Sequence, residues 1–135
     1  MNSNQNINVT FEDIFIKEVD FHRSQNMEMK SYNIECVDSI RVSSADENGF
    51  RLEYTRKTVT KEPFFFTVVF ECYCRLNQKS KDILGGDTKR IELTAEKHKE
   101  GIVANLNLPS KASLVIADIT SHLGTPYLSR PFLIK

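Results

Sequence analysis

The stretch from Phe64 to Leu76 constrains the fold of this chain most, because it is apolar at every second position along its whole length. A period of two predicts a β-strand. The apolar even positions are Phe64, Phe66, Val68, Phe70, Cys72, Cys74 and Leu76. The odd positions still carry Phe65, Val69 and Tyr73. One face can pack in the protein's own core, so we expect the other to be covered by a second copy of the chain or by a ligand.

Three more strands are predicted before this one. The first runs from Val9 to Phe21 and is apolar on both faces in its middle, which is typical of a strand covered on both sides. The second, from Tyr32 to Val42, alternates apolar and polar residues and is predicted to be half-buried. Asp46–Gly49 contains Asn-Gly, a strong hairpin signal, so the third strand, beginning at Phe50, returns antiparallel to the second.

The chain changes character after the fourth strand. The segment from Asn77 to Glu100 is polar, which predicts a long crossover loop with one short strand at 91–93. A helix is then predicted to start or bend at Pro109 and to stop at Gly124. Its apolar face follows the helical period at Ala112, Val115, Ile116, Ile119 and Leu123. A four-stranded antiparallel sheet with a crossover loop and a helix packed on one face is an α+β fold.

The composition of the chain narrows the classes of function that it can have. The chain has 135 residues, which predicts a single domain spanning 1–135. Its 18 basic and 18 acidic residues give no net charge, so we expect no nucleic-acid partner. The first residues lack the basic and apolar regions of a signal peptide, and no apolar run is long enough to span a bilayer, so we expect a cytoplasmic protein without membrane insertion.

The cysteines do not predict a metal site. Cys72 and Cys74 on one strand face place their sulfurs about 7 Å apart, given two residues of strand rise. That spacing is neither a redox Cys-x-x-Cys nor a zinc knuckle, and no second pair of ligands follows. With Cys36 they make an odd number, which is typical of buried free thiols in a reducing compartment.

No motif predicts catalysis. The histidines are scattered over different elements, without a neighbouring nucleophile in a recognisable arrangement. Gly85-Gly86 lacks the spacing of a phosphate-binding loop and is interpreted as a turn. Adjacent Glu12 and Asp13 point to opposite faces of a strand and cannot act as an acid–base pair. We therefore expect no enzymatic activity and no cofactor.

The chain resembles the SecB family of export chaperones over nearly its whole length, in its strand order and in motifs near both ends. Ile14–Phe21 is similar to the family's opening strand, with an isoleucine, an aromatic residue and then Lys-acid-aliphatic-x-Phe. Leu108-Pro109 and the run to Ile119-Thr120 resemble the family's proline-containing helix, and Gly124-Thr-Pro126 with Arg130-Pro-Phe132 resembles its ending. The resemblance implies a SecB-like fold, a homotetramer built as a dimer of dimers, and holding of unfolded polypeptide clients.

The chain also departs from the family pattern. Leu108 stands where the family has an aromatic residue, and Ser110-Lys111-Ala112 replaces its aromatic-Ala-Arg. The family docks the translocation ATPase SecA through an acidic sheet surface and a C-terminal tail, whereas this chain is neutral and ends three residues after Phe132. SecA is therefore a doubtful partner, and either export or an antitoxin client remains open as the chaperone's role.

Two functions follow from these patterns. One is an ATP-independent, SecB-like holding chaperone for unfolded or newly made polypeptides. The alternative is a non-enzymatic interaction module that binds one stable protein partner through the apolar sheet face. In either case the candidate client-binding residues are Phe15, Phe65, Val69 and Tyr73, for which oligomer packing is an equal alternative. The candidates for oligomer or core packing are Phe64, Phe66, Val68, Phe70, Val115, Ile116 and Ile119.

Overall fold

The computed structural model describes residues 9–23, 35–59 and 64–121, without the side chains of Glu12, Arg23 and Phe64. Four antiparallel strands form one sheet in these ranges: β1 (Val9–Arg23), β2 (Cys36–Asp46), β3 (Gly49–Thr58) and β4 (Phe64–Leu76). Their spatial order is β1-β4-β3-β2, so β3 and β4 are central and β1 and β2 form the edges. The start of the predicted second strand, before Glu35, lies outside the described residues.

The β2–β3 hairpin closes where the Asn-Gly signal predicted it. Asp46 pairs with Gly49, and the Asp46 Oδ1 accepts hydrogen bonds from the backbone N–H groups of Asn48 at 2.7 Å and Gly49 at 2.9 Å. A Cβ atom at Gly49 would lie 2.1 Å from the carbonyl oxygen of Cys74 on β4. Glycine is therefore required here by the close approach of the neighbouring strand.

The predicted crossover loop and its short strand at 91–93 are wrong. The segment folds as two helices, α1 (Gln78–Leu84) and α2 (Thr88–Asn105). Ile91 is fully buried while Leu93 is 63% exposed, which fits a helix, whereas both side chains would share one face of a strand. The Lys- and Glu-rich composition that predicted a loop is also typical of a solvated helix face.

Capping residues fix the ends of both helices. The Asn77 side chain accepts a hydrogen bond from the backbone N–H of Ser80 at 2.8 Å at the start of α1. Gly85 ends that helix in the left-handed conformation, at φ 63°. Asp87 then caps α2 by accepting from the backbone N–H groups of Lys89 and Arg90.

The third helix, α3 (Leu108–Ser121), begins next to Pro109, as predicted. Asn107, at φ 56°, turns the chain tightly from α2 into α3. Of the predicted apolar face, Ala112 and Ile116 are buried and Val115 and Ile119 are partly buried. Leu123 and the predicted stop at Gly124 lie outside the described residues.

The helices cover one face of the sheet, called here the helix face, and the opposite face is called the outer face. The core lies between the helix face and the helices, and its β4 members are the even positions Phe66, Val68, Phe70, Cys72, Cys74 and Leu76. The helices contribute Leu84, Ile91, Ala95, Val103, Leu106, Leu108, Ala112 and Ile116. Each such apolar side chain contributes about 1.5–3 kcal/mol on full burial, so this layer accounts for much of the folding free energy.

A buried ion pair interrupts this apolar layer. Arg56 on β3 is fully buried, and its Nε and Nη2 donate to Asp38 Oδ1 at 2.7 Å and Oδ2 at 2.8 Å. Its Nη1 also donates to the Ser113 Oγ at 2.9 Å and the Pro109 carbonyl at 3.4 Å on α3. Arg56 therefore joins the edge strand β2, the central strand β3 and the start of α3 in one polar network.

Candidate client-binding surface

The edge strand β1 exposes apolar side chains on the same face of the sheet where the residues of β4 are buried. Phe11, Ile16 and Val19 pair in register with Cys74, Phe70 and Val68 of β4, so they lie on the helix face. They are nevertheless 37%, 47% and 42% exposed. The described helices pack over the other strands, with α2 mainly against β2, and leave this part of β1 open. We call Phe11, Ile16 and Val19 the β1 strip.

A cavity of about 350 Å³ lies between the start of β1 and α2. It adjoins the β1 strip, because Phe11 belongs to both. Apolar and polar side chains line it together, among them Phe11, Phe50, Thr94, His98, Ile102 and Asn105. A cavity with an apolar base and a few hydrogen-bonding groups is the usual form of a site for a side chain or small ligand.

Two register shifts divide β1 into shorter segments. One lies between Glu12 and Phe15, where Asp13 adopts a φ of 51°, and the other lies between Ile16 and Glu18. The bulges shift the alternation, so that odd-numbered Phe11, even-numbered Ile16 and odd-numbered Val19 all lie on the helix face, whereas Phe15, opposite Glu71, lies on the outer face. Bulges twist an edge strand and limit its pairing with another strand, so the exposed side chains of β1 are more available than its backbone.

The outer face is polar at its centre. Glu53 of β3 and Glu71 of β4 face each other, and Lys17 from β1 approaches both, at 3.0 and 3.6 Å. Arg41 reaches Glu53 at 2.6 Å and Arg51 reaches Glu71 at 3.1 Å. Burial alone would raise the pKa of Glu53, but hydrogen bonds from Lys17 and Arg41 outweigh it and hold that pKa below its usual range. We call these five residues the charged row.

The four predicted client-binding residues all lie on the outer face, but they do not form one patch. Phe15 is 43% exposed. Phe65 is half-buried and stacks on His22, with ring centroids 5.9 Å apart. Val69 is only 5% exposed, between Glu18 and Thr55 on the neighbouring strands. The charged row separates Phe65 and Val69 from Tyr73.

Tyr73 takes part in polar contacts. Its ring lies under the Arg51 guanidinium, 5.4 Å from the ring centroid, and its Oη donates to Asp46 Oδ1 at 3.3 Å. The predicted cover for the second face of β4 is thus provided in part by long side chains of the same chain. These side chains are charged groups on the neighbouring strands. The sequence pattern of β4 alone therefore could not predict them.

The structure places most of the residues predicted for oligomer or core packing. Phe66, Val68, Phe70 and Ile116 are buried in the core, while Val115 and Ile119 are partly buried. The Phe64 side chain lies outside the described part of the structure. The β1 strip was not singled out in the sequence, although the uninterrupted run Ile14-Phe15-Ile16 breaks the period of two and so indicates a bulge.

The thiols of Cys72 and Cys74 are much closer than the sequence suggested. Their Sγ atoms lie 3.5 Å apart, and not about 7 Å, because the two side chains lean toward each other along the strand. Both are fully buried. Across residues 9–23, 35–59 and 64–121, no three His, Cys, Asp or Glu side chains gather closely enough to hold a metal ion. None of the helices described is both long and apolar enough to cross a membrane.

Comparison with known proteins agrees with this architecture. No protein-family model and no curated protein sequence matches the chain. Among solved structures, it is similar to the Mycobacterium tuberculosis SecB-like chaperone Rv1957, which was solved in complex with a ChAD peptide from the HigA1 antitoxin Rv1956. The TM-score is 0.61 at 16% sequence identity, over 92% of this chain and 87% of that one.

A Streptococcus agalactiae protein of unknown function also aligns, over 93% of this chain and 98% of the other. Its TM-score is 0.43 at 12% identity. The likeness to Rv1957 shows the fold: this chain has the α+β architecture of a SecB-like chaperone.

Proposed function

We propose that this chain is an ATP-independent holding chaperone that binds unfolded or newly made polypeptides. The observation that carries the proposal is the β1 strip, an exposed continuation of the core next to a cavity. Folded soluble proteins seldom leave apolar side chains of a core-facing row so open. An unfolded chain offers many apolar side chains that such a surface can cover, whereas a native protein offers few.

The energetics fit weak and adaptable binding. Each side chain of the strip contributes about 1.5–3 kcal/mol only on full burial, so several weak contacts must act together. No nucleotide is needed for release, because a client that folds removes its own apolar side chains from the complex. The SecB-like fold supports a chaperone role. The antitoxin peptide bound by Rv1957 makes an antitoxin a reasonable first client to try.

The outer face bears on the export role. The charged row combines two carboxylates with three cations, so the centre of that face is not acidic. Charge complementarity chiefly sets the encounter rate and the specificity of a protein complex. A partner that recognises an acidic surface would therefore bind this mixed face slowly and with little specificity. We therefore propose client holding without SecA binding. Isothermal titration with SecA of the same organism is the test, and micromolar or tighter affinity would restore the export role.

We further propose a cytoplasmic homotetramer of single-domain protomers, without enzymatic activity or cofactor. A strand that is apolar on both faces at a sheet edge is suited to contact with a second copy as well as with clients. Light scattering coupled to size exclusion should give a mass well above the 15.5 kDa of one chain. A monomer at micromolar concentration would contradict the assembly but not the holding activity.

The direct test of function is suppression of aggregation. A chemically denatured test protein is diluted into buffer with increasing amounts of the chaperone, without ATP, and light scattering is followed. We expect scattering to fall with chaperone concentration for two unrelated test proteins. If neither is protected and purification recovers one protein at fixed stoichiometry, the chain is instead an interaction module for a single stable partner.

A further inference from the structure

The buried thiols of β4 form a pair that the proposed holding function does not use. Cys72 and Cys74 lie on the same side of a central strand, and their Sγ atoms are in contact at 3.5 Å. Residues two apart on a strand have Cα atoms about 6.6 Å apart, which is near the upper end of the roughly 4.4–6.8 Å that disulfides span. Their Cβ atoms, which on a regular strand are about as far apart as the Cα atoms, must also come within about 4.5 Å, so β4 has to pucker at Tyr73 by roughly 2 Å before the bond forms.

The neighbouring strand leaves room for that pucker. Tyr73 pairs with Glu12 and Glu71 pairs with Phe15, so Cys72 lies opposite the bulge that contains Asp13 and Ile14. The ladder between β1 and β4 is already interrupted at this point. A displacement of β4 here therefore disturbs fewer hydrogen bonds than it would in a regular central strand.

The bulge and the cavity also give access from the edge of the sheet. Ile14 is 37% exposed beside Cys72. Phe11 and Phe50 pair with Cys74 from either side and both line the cavity against α2. Phe11 is on an edge strand and is itself 37% exposed, so a modest movement of its ring opens a path for a small neutral molecule.

The two sulfurs are not equivalent. The hydrogen bond from the Cys74 thiol lowers the pKa of Cys72, against the opposing effect of burial, and the positive charge of Lys111 acts in the same direction. The same hydrogen bond, together with burial, raises the pKa of Cys74. The overall reaction is the same whichever sulfur attacks first, because the two are in contact, and the hydrogen bond favours Cys72 as the attacking thiolate.

We propose that Cys72 and Cys74 are a reversible oxidation site that forms an intrastrand disulfide with hydrogen peroxide as the oxidant. The Cys72 thiolate attacks one peroxide oxygen and breaks the O–O bond, giving a sulfenic acid and, after protonation of hydroxide, one water. The Cys74 sulfur then attacks the Cys72 sulfur, its proton leaves with the displaced hydroxyl as a second water, and the S–S bond forms. Two thiols are oxidised and one peroxide is reduced to two waters.

The third cysteine provides the control. Cys36 is on β2, and β3 separates that strand from β4, so it cannot reach the pair without rearrangement of the sheet. The Cys36→Ser variant should therefore retain the reaction, whereas Cys36→Ser combined with Cys74→Ser should lose it. Strain in the small ring predicts ready reduction by dithiothreitol.

The experiment is intact-mass spectrometry after peroxide treatment, quenching and alkylation in denaturant. For Cys36→Ser we expect a loss of two hydrogen atoms in mass, no alkylation and full reversal by dithiothreitol. The double variant should instead keep an alkylatable thiol or stop at a sulfenic acid.

Two results would overturn the proposal. One is a Cys36→Ser protein that keeps both thiols alkylatable at peroxide concentrations that oxidise a free thiol control. The other is oxidation only to sulfinic or sulfonic acids or to cross-linked dimers. Size exclusion and circular dichroism of each variant before treatment check that a negative result is not a failure to fold.

Discussion

The two edges of the sheet are covered in opposite ways. At the β2 edge, α2 packs over the strand, Lys99 from α2 donates to the Ile40 carbonyl at 3.2 Å, and the Asp38–Arg56 pair secures the helix layer. At the β1 edge the described helices leave Phe11, Ile16 and Val19 partly exposed on the helix face. Both strands place apolar side chains on the helix face, so what an edge strand can bind depends on where the helices lie.

The largest expected effect comes from breaking the cover at the β2 edge. Asp38→Ala leaves the Arg56 guanidinium buried without its carboxylate, which costs roughly 3–5 kcal/mol of stability. Urea unfolding followed by circular dichroism measures the change. Ser39→Ala, exposed on the next position of the same strand, is the control and should stay within about 0.5 kcal/mol. Equal stability of the two variants would show that the pair does not secure this edge.

The next effect concerns the open edge. Ile16→Asp should weaken client holding roughly tenfold, because it removes about 1.5 kcal/mol of apolar burial from the proposed contact. Stability should change little, since Ile16 is 47% exposed. Suppression of aggregation is measured for this variant and for Leu93→Asp, a matched change at a 63% exposed leucine on α2. The proposal for the β1 strip fails if both variants hold clients equally well at the wild-type assembly state.

A smaller effect is expected on the outer face. Phe65→Asp should reduce holding less than Ile16→Asp does, because Phe65 is half-buried and already stacks on His22. The same aggregation assay compares the two variants. If Phe65→Asp keeps the wild-type assembly and full activity, Phe65 is not in the client groove. If instead it has the stronger effect, the clients bind the outer face.

The smallest effect lies in the charged row. The pKa of Glu53 is lowered in the folded state, so its contribution to stability is present above the ordinary value of 4.5 and is lost as the pH falls through the lower, folded-state value. Glu53→Gln should therefore flatten the decline of stability with acid by about 0.2–1 kcal/mol. Thermal unfolding at several pH values measures it. If the stability of the variant falls with acid as steeply as that of the wild type, the charged row makes no net contribution to stability.

The strands were predictable because period and turn chemistry are local. The Phe64–Leu76 run and the Asn48-Gly49 turn carry their structure within a few residues. The loop predicted from Asn77 to Glu100 is wrong because the charged residues there suit both a loop and a solvated helix. The caps at Asn77 and Asp87 are the local signals that distinguish the two. The candidate residues Phe65, Val69 and Tyr73 share one face of β4, as the period of two predicted. Four of the five charges that divide that face, all except Glu71, come from β1, β2 and β3, so the pattern of β4 does not contain them.

The strand order has a consequence for synthesis of the chain. The β2–β3 hairpin can close as soon as β3 follows its turn, but β1 pairs with β4, the last of the four described strands to emerge. At about 5–20 residues per second, the interval between the end of β1 at Arg23 and the start of β4 at Phe64 lasts several seconds. Throughout it the most apolar edge of the protein lacks its sheet partner. While it is still on the ribosome, the chain therefore exposes an unpaired apolar strand, which is the kind of segment that the folded protein is proposed to bind.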